Sequence, residues 1–169
     1  KALQYKLYEN AITVVRNRDE ILPIKNYENE RIAYVKMGDD TNATFLSTLQ
    51  NYAEITEVKD DNIDSLMVKL QPFTKVIVGF HKADGAWKNH EFKANEMAKL
   101  DTISKYKHII LDVFAKPYSL LPFTDFDNYD ALLVSYQNTD ISQIVSSEII
   151  FGALGSKGKL PVSINEFFP

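Results

Sequence analysis

The sequence predicts an α/β fold, a three-layer α/β/α sandwich around a mostly parallel, doubly wound sheet of five to six strands. Segments rich in β-branched residues alternate with segments of helical periodicity, an order typical of βαβ units. After its first residue, the segment KVIVGF (75–80) is continuously apolar, as expected of a central strand covered on both faces. The 169 residues, 45% of them hydrophobic, suffice to bury one core. We therefore expect a single domain over residues 1–169 with flavodoxin-like topology.

The predicted elements follow one another along the chain. Residues 3–15 carry apolar side chains at helical spacing, which predicts an opening helix that leads into an extended segment ending near residue 30. The chain starts inside this helical pattern and without Met, so we expect it to be a segment of a longer protein. Strands are predicted at 31–37, 54–58, 75–80, 108–114 and 130–136, with an edge strand at 160–164; helices are predicted at 42–51, 63–70, 97–103 and 140–149.

Polar residues mark the starts of two of these helices. Asp61 or Asn62 can cap the helix that follows them, since both side chains accept hydrogen bonds from free backbone N–H groups. Asp140 with Gln143 resembles a capping box and begins the last helix.

Composition excludes several classes of function. The net charge is −4, and the 19 basic residues are scattered, so no nucleic-acid footprint is present. No apolar run approaches a membrane span and no targeting segment is visible, so we expect a soluble protein. The chain has no cysteine, which excludes thiolate chemistry and disulfides. Three histidines at dispersed positions predict no metal site, and no cofactor motif occurs.

The loops 37–43, 81–91 and 114–126 should lie together, because each follows a strand of the predicted parallel sheet. Ligands of such sheets bind outside the carboxyl ends of the strands, where strand order reverses. In the first loop, Asp39 or Asp40 can cap the next helix, and capping is favoured over metal binding. Nucleotide binding by a flavodoxin-like protein is one functional hypothesis for this edge. It is the weakest, because the phosphate-loop glycines and hydroxyls are missing after the first strand of this sheet.

The loop 81–91 holds the candidate site residues. His81 and Asp84 could form a proton-transfer pair, and Asp84 and Glu91 could offer the two carboxylates of glycoside chemistry. Trp87, the sole tryptophan, could stack on a sugar or contact a neighbouring domain. The alternative for His81, Asp84 and Glu91 is a solvated polar loop, which a chain with 23 acidic residues is expected to contain. The alternative for Trp87 is a partly buried anchor.

The glycine-rich stretch FGALGSKGKLP (151–161) does not match a phosphate-binding loop. The first required glycine is replaced by Ala153, and Leu160 stands where Ser or Thr must reach magnesium. The stretch also follows a helix, whereas a phosphate loop precedes one. We expect its glycines to end that helix, with Gly152 or Gly155 in the left-handed conformation.

Three segments resemble the C-terminal domain of family 3 glycoside hydrolases. YENAITVVRNRDEILPIK (8–25) is similar to the segment that opens that domain, and the stretch from 130 to 164 is similar to its closing block. KPYSLLP (116–122) resembles a turn of the β-N-acetylhexosaminidase branch. The matching residues are Ala11, Val14, Val15, Arg16, Asn17, Leu22 and Pro23; Tyr136, Phe151, Gly152, Ser156, Gly158, Lys159, Leu160 and Pro161; and Pro117, Tyr118 and Leu120.

The resemblance implies a fold and a missing partner. Enzymes of this family carry their nucleophile on a preceding (β/α)8 barrel, which this chain lacks, so we expect an accessory domain that packs on that barrel and is not catalytic alone. The glucosidase branch takes its acid/base glutamate from the second domain, which makes Glu91 the catalytic candidate here, whereas the hexosaminidase branch uses a barrel His–Asp pair. The expected barrel-facing residues are aromatic: Trp87, Phe123, Phe126, Phe167 and Phe168.

The alternative function is a stand-alone carbohydrate-binding module that uses the loop 81–91, with His81, Asp84 and Trp87 as substrate-binding candidates. Partners would then be carbohydrate instead of a barrel. The resemblance is compatible with a periplasmic or secreted parent protein, but the sequence assigns no compartment.

Overall fold

The computed structural model describes residues 1–85, 87–155 and 158. Five helices and six strands alternate over most of this range, with short 3-10 turns at Arg18–Glu20, Tyr27–Asn29 and Pro117–Leu120. The strands are β1 (Thr13–Asn17), β2 (Ile32–Gly38), β3 (Ile55–Glu57), β4 (Lys75–His81), β5 (His108–Phe114) and β6 (Ala131–Val134). The helices are α1 (Ala2–Ala11), α2 (Ala43–Gln50), α3 (Ile63–Leu70), α4 (Ala94–Tyr106) and α5 (Asp140–Phe151).

The six strands form one sheet in the order β1-β6-β5-β4-β2-β3. All neighbours run parallel except β1, which pairs antiparallel with β6. After β2 the chain adds β3 on one side and then returns to add β4 on the other, so strand order reverses between β2 and β4. This is the flavodoxin-like order, and the predicted fold class is confirmed.

Two hydrophobic layers cover the sheet. On one face, Val78 of β4 packs with Leu66 of α3 and Leu100 of α4. On the other face, Ile77 of β4 packs with side chains of α2 and α5 such as Phe45. Successive side chains of β4 point to opposite faces of the sheet, and both faces are covered. This explains why the sequence of β4 is continuously apolar. Within the described residues, no helix has the length and apolar character needed to cross a membrane.

The opening helix is shorter than predicted. It ends at Ala11, and residues 13–17, the first three of which fall within the predicted helix, form the antiparallel edge strand β1. Thr13 pairs with Val134 and Val14 with Leu133. The β-branched run Ile-Thr-Val-Val (12–15) favours this outcome, because such side chains are stiff in helices and pack well on a sheet.

The predicted helix caps are partly correct. Asn62 caps α3, since its side-chain oxygen accepts a hydrogen bond from the Ser65 N–H at 3.0 Å. The capping box of α5 lies one residue earlier than predicted. Thr139 Oγ1 accepts from the Ser142 N–H at 3.1 Å, and Ser142 Oγ accepts from the Thr139 N–H at 3.0 Å.

The glycine-rich stretch after α5 ends the helix, as predicted. Gly152 has φ of +83°, the left-handed conformation in which glycine carries no penalty. Gly158 donates its N–H to Ile12 O, and a Cβ on it would lie 2.2 Å from Ala11 O, so this close backbone approach requires glycine. The predicted edge strand 160–164 lies outside the described residues.

Candidate functional site

The loops after β2, β4 and β5 meet at the carboxyl edge of the sheet, as the sequence predicts. The Asp40 N–H donates to His81 O at 3.2 Å, which joins the first loop to the end of β4. The Lys82 N–H donates to Phe114 O at 3.3 Å, which joins β4 to the end of β5. Gly38 ends β2 with φ of +82°, and a Cβ there would meet His81 O at 2.1 Å.

His81 lies completely buried behind this edge, with both ring nitrogens occupied. Its Nδ1 is 2.8 Å from Asn138 Oδ1, and its Nε2 is 2.9 Å from the Tyr34 hydroxyl. The Tyr34 oxygen also accepts a hydrogen bond from Asn42 Nδ2 at 3.0 Å. Burial raises the pKa of Tyr34, so its O–H remains protonated and donates to His81 Nε2.

Asn138 decides which nitrogen of His81 carries the proton. The Asn138 amide nitrogen donates to Asp40 Oδ2 at 2.9 Å and to Thr41 O at 2.8 Å, so its Oδ1 must be an acceptor. That oxygen accepts from Gln143 Nε2 at 2.8 Å and from His81 Nδ1–H. Every polar atom of this cluster is therefore satisfied by protein groups, which is the condition for burying it.

The network leaves His81 without a free nitrogen for a ligand. Burial lowers its pKa to about 4, so the ring is neutral at neutral pH. The predicted proton-transfer pair does not form, because Asn138 and Tyr34 occupy the positions that Asp84 would need. The cluster instead ties the loops after β2 and β6 to the end of β4.

Neither acidic residue after β2 caps α2, contrary to the sequence prediction. The residue before the helix is Asn42. Asp40 accepts from Asn138, and this hydrogen bond holds the pKa of Asp40 below its usual value. Asp39 Oδ2 lies 3.5 Å from Lys82 Nζ. The Lys82 side chain is only 5% exposed, and its Nζ lies 5.6 Å from the centroid of the Phe80 ring.

A groove of about 510 Å³ opens at the same edge of the sheet, between the loops after β4 and β5. One wall comes from the loop after β4 and includes Trp87, whose side chain is 99% exposed. The opposite wall is the 3-10 turn after β5 and includes Tyr118. The lining residues are Trp87, Lys88, Asn89, His90, Glu91, Lys116, Tyr118, Ser119 and Leu121. We call this the Trp87 groove.

His90 joins the two walls of the Trp87 groove. Its Nδ1 accepts from the Lys116 N–H at 2.9 Å, so its Nε2 carries the proton and donates to Ala83 O at 3.0 Å. Both walls are thereby fixed to one buried ring. The histidine is a positioning residue here, and neither of its nitrogens is available as a metal ligand.

The structure brings two of the four predicted site residues to one place. Trp87 and Glu91 line the groove, whereas Asp84 is exposed in the same loop and His81 is buried behind it. As carbohydrate-binding or catalytic residues these four remain predictions. Among the residues that the structure describes, no three His, Cys, Asp or Glu side chains come together as metal ligands.

Sequence reasoning missed the second wall. Tyr118 is 57% exposed and Leu121 is 54% exposed, and both face solvent although they follow a buried strand. Ser119 is buried, and its hydroxyl is the one buried side-chain polar atom of the described residues without a hydrogen-bond partner. The signal was present in KPYSLLP, where the turn contains Tyr118 and is followed by Leu121, but the distance to Trp87 depends on strand order.

Two predicted docking residues, Phe123 and Phe126, are buried instead of exposed. Their rings stack with centroids 5.0 Å apart, and Phe123 also meets Phe92 edge-on at 5.2 Å. They therefore close the hydrophobic layer under the loop after β5. Phe167 and Phe168 lie outside the described residues.

A larger groove, of about 660 Å³, lies at the opposite edge of the sheet, beside the amino ends of β4 and β5. Two of its basic side chains are engaged in the fold: Lys107 Nζ donates to Phe73 O at 2.8 Å, and His108 Nδ1 lies 3.2 Å from Asp130 Oδ1. Ligands of open parallel sheets bind at the carboxyl edge, so the Trp87 groove is the better candidate despite its smaller volume.

No protein-family model and no curated protein matches the chain. Its fold, however, occurs in solved glycoside hydrolases. A fungal multi-domain GH3 β-N-acetylglucosaminidase with a GCN5-related glucosamine N-acetyltransferase region is 21% identical, with a TM-score of 0.76 over 98% of this chain and 19% of that chain. A family 3 β-N-acetylglucosaminidase from Paenibacillus sp. str. FPU-7 is 12% identical, with a TM-score of 0.72 over 97% of this chain and 32% of that chain.

A β-glucosidase from Listeria innocua is similar to the same extent, with 14% identity and a TM-score of 0.75 over 98% of this chain and 26% of that chain. At these identities the likeness is one of fold, and at that level the resemblance to family 3 glycoside hydrolases is confirmed. This chain spans about a fifth to a third of the length of the solved chains it matches. In those proteins the matched region is accompanied by further parts of the chain.

Proposed function

We propose that this chain is the accessory C-terminal α/β domain of a family 3 glycoside hydrolase, packing against a (β/α)8 barrel and not catalytic alone. One observation carries the proposal. The fold matches over almost the whole of this chain, but it matches only 19% and 32% of two family 3 enzymes. A fragment of that extent is an addition to a catalytic domain rather than a complete enzyme.

The geometry of the candidate site supports the absence of catalysis in the isolated chain. Hydrolysis with retention needs two carboxyl groups about 5 Å apart around the scissile bond. Glu91 is the one acidic residue among those that line the Trp87 groove. Neither His81 nor His90 has a carboxylate among its hydrogen bonds, so the described residues also lack a His–Asp pair at this edge.

We assign the parent to the β-N-acetylglucosaminidase branch on the sequence motifs. The turn with Pro117, Tyr118 and Leu120 resembles that branch. The TM-scores of glucosaminidases and of the β-glucosidase are similar, so they do not discriminate between branches. In this branch the proton-transfer pair belongs to the barrel, which leaves Glu91 without a catalytic role.

The test compares this chain with the longer protein that contains it. We expect the parent to cleave a chromogenic N-acetyl-β-D-glucosaminide and the 169-residue chain to show no cleavage above background. Comparable activity in the isolated chain would contradict the accessory role. In the parent, Glu91→Gln should leave kcat largely unchanged, and a loss of about 100-fold or more would instead place the acid/base on this domain.

A second function, carbohydrate binding by the loop 81–91 of a stand-alone module, is favoured by one observation. Trp87 is 99% exposed beside a groove at the carboxyl edge of the sheet. An indole ring in this position offers both faces to a ligand. The two functions are alternatives, because the module would act without a barrel and would use Trp87 for carbohydrate instead of for docking.

A further inference from the structure

The loop after β4 contains an aspartate that is followed directly by a glycine, at Asp84 and Gly85. No other glycine of the chain follows an aspartate or an asparagine. In such a pair the backbone nitrogen of the glycine can attack the side-chain carbonyl carbon of the aspartate, because glycine has no side chain to hinder the approach. Both residues are exposed, and Gly85 has φ of +138°, a backbone conformation that only glycine adopts without strain.

The fold leaves both reacting groups of this pair unengaged. Among the residues that the structure describes, no hydrogen bond or ion pair involves the Asp84 carboxyl group or the Gly85 N–H. The Gly85 carbonyl, by contrast, accepts from the Lys88 N–H and from Lys116 Nζ, each at 3.3 Å. The carboxyl group can therefore turn toward the nitrogen, and the nitrogen can lose its proton, without breaking a contact of the fold.

Asp61 shows the opposite arrangement, although it is also exposed. The residue after it, Asn62, donates its N–H to Asp60 Oδ1 at 2.9 Å, and its own side chain caps α3. Attack by the Asn62 nitrogen would break this hydrogen bond and is hindered by the asparagine side chain. Exposure alone therefore does not make an aspartate of this chain reactive, and Asp61 serves as an internal comparison for Asp84.

We propose that Asp84 is a modification site, which converts spontaneously to isoaspartate in the folded domain. The Gly85 nitrogen forms a bond to Cγ of the protonated Asp84 carboxyl group, and the N–H proton leaves with the carboxyl hydroxyl as water, giving a succinimide. Water then opens this ring. Cleavage of the Cγ–N bond restores aspartate, whereas cleavage between the nitrogen and the Asp84 backbone carbonyl gives isoaspartate. One water is lost and one is gained, so no oxidant or other reactant is needed.

Isomerisation adds one methylene group to the backbone between two anchored carbonyls. His90 Nε2 bonds to Ala83 O at 3.0 Å, and Lys116 Nζ bonds to Gly85 O at 3.3 Å. We expect the added length to displace Trp87, two residues further on, relative to the opposite wall of its groove. The modification therefore changes the groove without changing the composition of the chain, and the inference rests on neither function proposed above.

The experiment incubates the 169-residue chain at neutral pH for several weeks, folded and, in parallel, unfolded in urea. A protein-isoaspartate methyltransferase with labelled S-adenosylmethionine counts the isoaspartate, and peptide mass spectrometry locates it. We expect isoaspartate at residue 84 of the folded chain and none above background at Asp61. In water enriched with heavy oxygen, residue 84 should also gain the isotope, because each opening of the ring adds one solvent oxygen.

Two variants of Asp84 should change the yield in opposite directions. Asp84→Glu keeps the charge but would have to close a larger ring, so the signal at this position should be lost. Asp84→Asn should form isoaspartate faster, with ammonia as the leaving group, because a neutral amide is a better electrophile than a carboxylate. Both substitutions replace an exposed side chain, so circular dichroism should show the wild-type fold. Measurements of stability on Asp84→Asn require freshly prepared protein.

The displacement of Trp87 has a separate readout. Lys88, the next residue, is exposed and donates its N–H to Gly85 O, so trypsin cleavage after Lys88 under native conditions reports on this turn. We expect faster cleavage in the incubated wild type than in fresh protein. Asp84→Glu incubated in the same way is the matched control and should be cleaved at the fresh rate. Equal rates in the two incubated proteins would contradict the displacement.

Two results would overturn the modification site itself. One is the absence of isoaspartate at residue 84 of the folded chain, whether or not the chain in urea forms it, since the fold would then protect the pair. The other is an equal yield at Asp61 and Asp84, which would show that neither the glycine nor the unengaged N–H directs the reaction. None of these results decides whether the chain hydrolyses glycosides, so the accessory role is tested separately.

Discussion

At the scale of single residues, two buried titratable groups have pKa values shifted in opposite directions. Asp112 lies in the middle of β5, completely buried, and accepts hydrogen bonds from the hydroxyls of Ser135 and Ser146. Burial raises its pKa to about 7, and the two hydroxyls oppose that shift. Burial also dominates at His81, but there it lowers the pKa to about 4, because desolvation disfavours the charged form of either group.

These shifts make opposite contributions to stability between about pH 4 and pH 6.5. In this range folded Asp112 keeps a proton that the unfolded chain releases, so its contribution to stability falls as pH rises. In the same range His81 is neutral in the folded chain but protonated in the unfolded chain. Its contribution to stability is therefore present above the unfolded pKa and is lost as pH falls toward 4. Each slope is at most about 1.4 kcal/mol per pH unit, and the two oppose each other.

We expect Asp112→Asn to remove one of these slopes. The amide fits the same space and can bond both serine hydroxyls, so the variant should fold. The free energy of unfolding of the variant minus that of the wild type should increase from about pH 4 to about pH 7 and should be constant at higher pH. Urea denaturation at several pH values measures this. Asp84→Asn, in the exposed loop, controls for the change in net charge, and a difference independent of pH would contradict the assignment.

At the scale of elements, the structure differs from the sequence prediction at the start of α5. Thr139 makes the reciprocal hydrogen bonds of the capping box with Ser142, whereas the predicted cap, Asp140, lies in the first turn and accepts from Thr44 Oγ1 at 2.7 Å near the surface. Gln143, the predicted partner, instead holds α2 by accepting from the Phe45 N–H at 2.8 Å. Its amide is therefore used between helices rather than within a cap.

Thr139→Ala should lower the free energy of unfolding by about 1 kcal/mol, because it leaves an N–H group of the first turn without a partner. Asp140→Ala is the matched variant and should cost less, since exposed interactions contribute only a few tenths of a kcal/mol. Chemical denaturation of both variants beside the wild type decides the order. If Asp140→Ala proves the more costly, the capping box lies where the sequence predicted it.

The ends of the chain show how far local patterns reach. Apolar residues at 3, 7, 11, 14 and 15 fit helical spacing, yet the structure divides them between α1 and β1. Leu3 and Leu7 are exposed on α1, while Tyr5 and Tyr8 contact the opposite end of the chain through Glu148 and Gln137. The side chains that secure α1 are thus its tyrosines, whose spacing of three also fits a helix. Periodicity identified the helix but not the side chains that attach it to the domain.

At the scale of the whole molecule, the domain combines a buried core with one exposed indole. Trp87 is 99% exposed, whereas Tyr34 and Tyr129 are buried. We expect urea unfolding to leave the tryptophan emission maximum almost unchanged, because the ring is already in water in the folded state. The near-ultraviolet circular dichroism of the tyrosines should disappear in the same experiment. A large red shift on unfolding would show that the indole is covered in solution by another part of the chain or by a second copy.

The sequence by itself determined the order and type of most elements. β5 has the predicted bounds, β2 and β4 differ by a residue at their ends, and the carboxyl-edge loops lie where predicted. Hydrophobic periodicity is a local property of the chain, with repeats of two or about 3.6 residues, so it can be recognised without knowledge of the fold. The continuous apolar run of β4 also identified the centre of the sheet.

Only the tertiary structure decided which of the loop residues are accessible and which meet. His81 and Trp87 are six residues apart, yet one is bonded inside the fold by Asn138 and the other is in solvent. Tyr118 faces the groove of Trp87, while Phe123, five residues later, is buried. These outcomes depend on strand order, which brings distant loops together, and spacing along one segment carries no information about contacts between segments. The candidate site therefore had to be assembled from the fold.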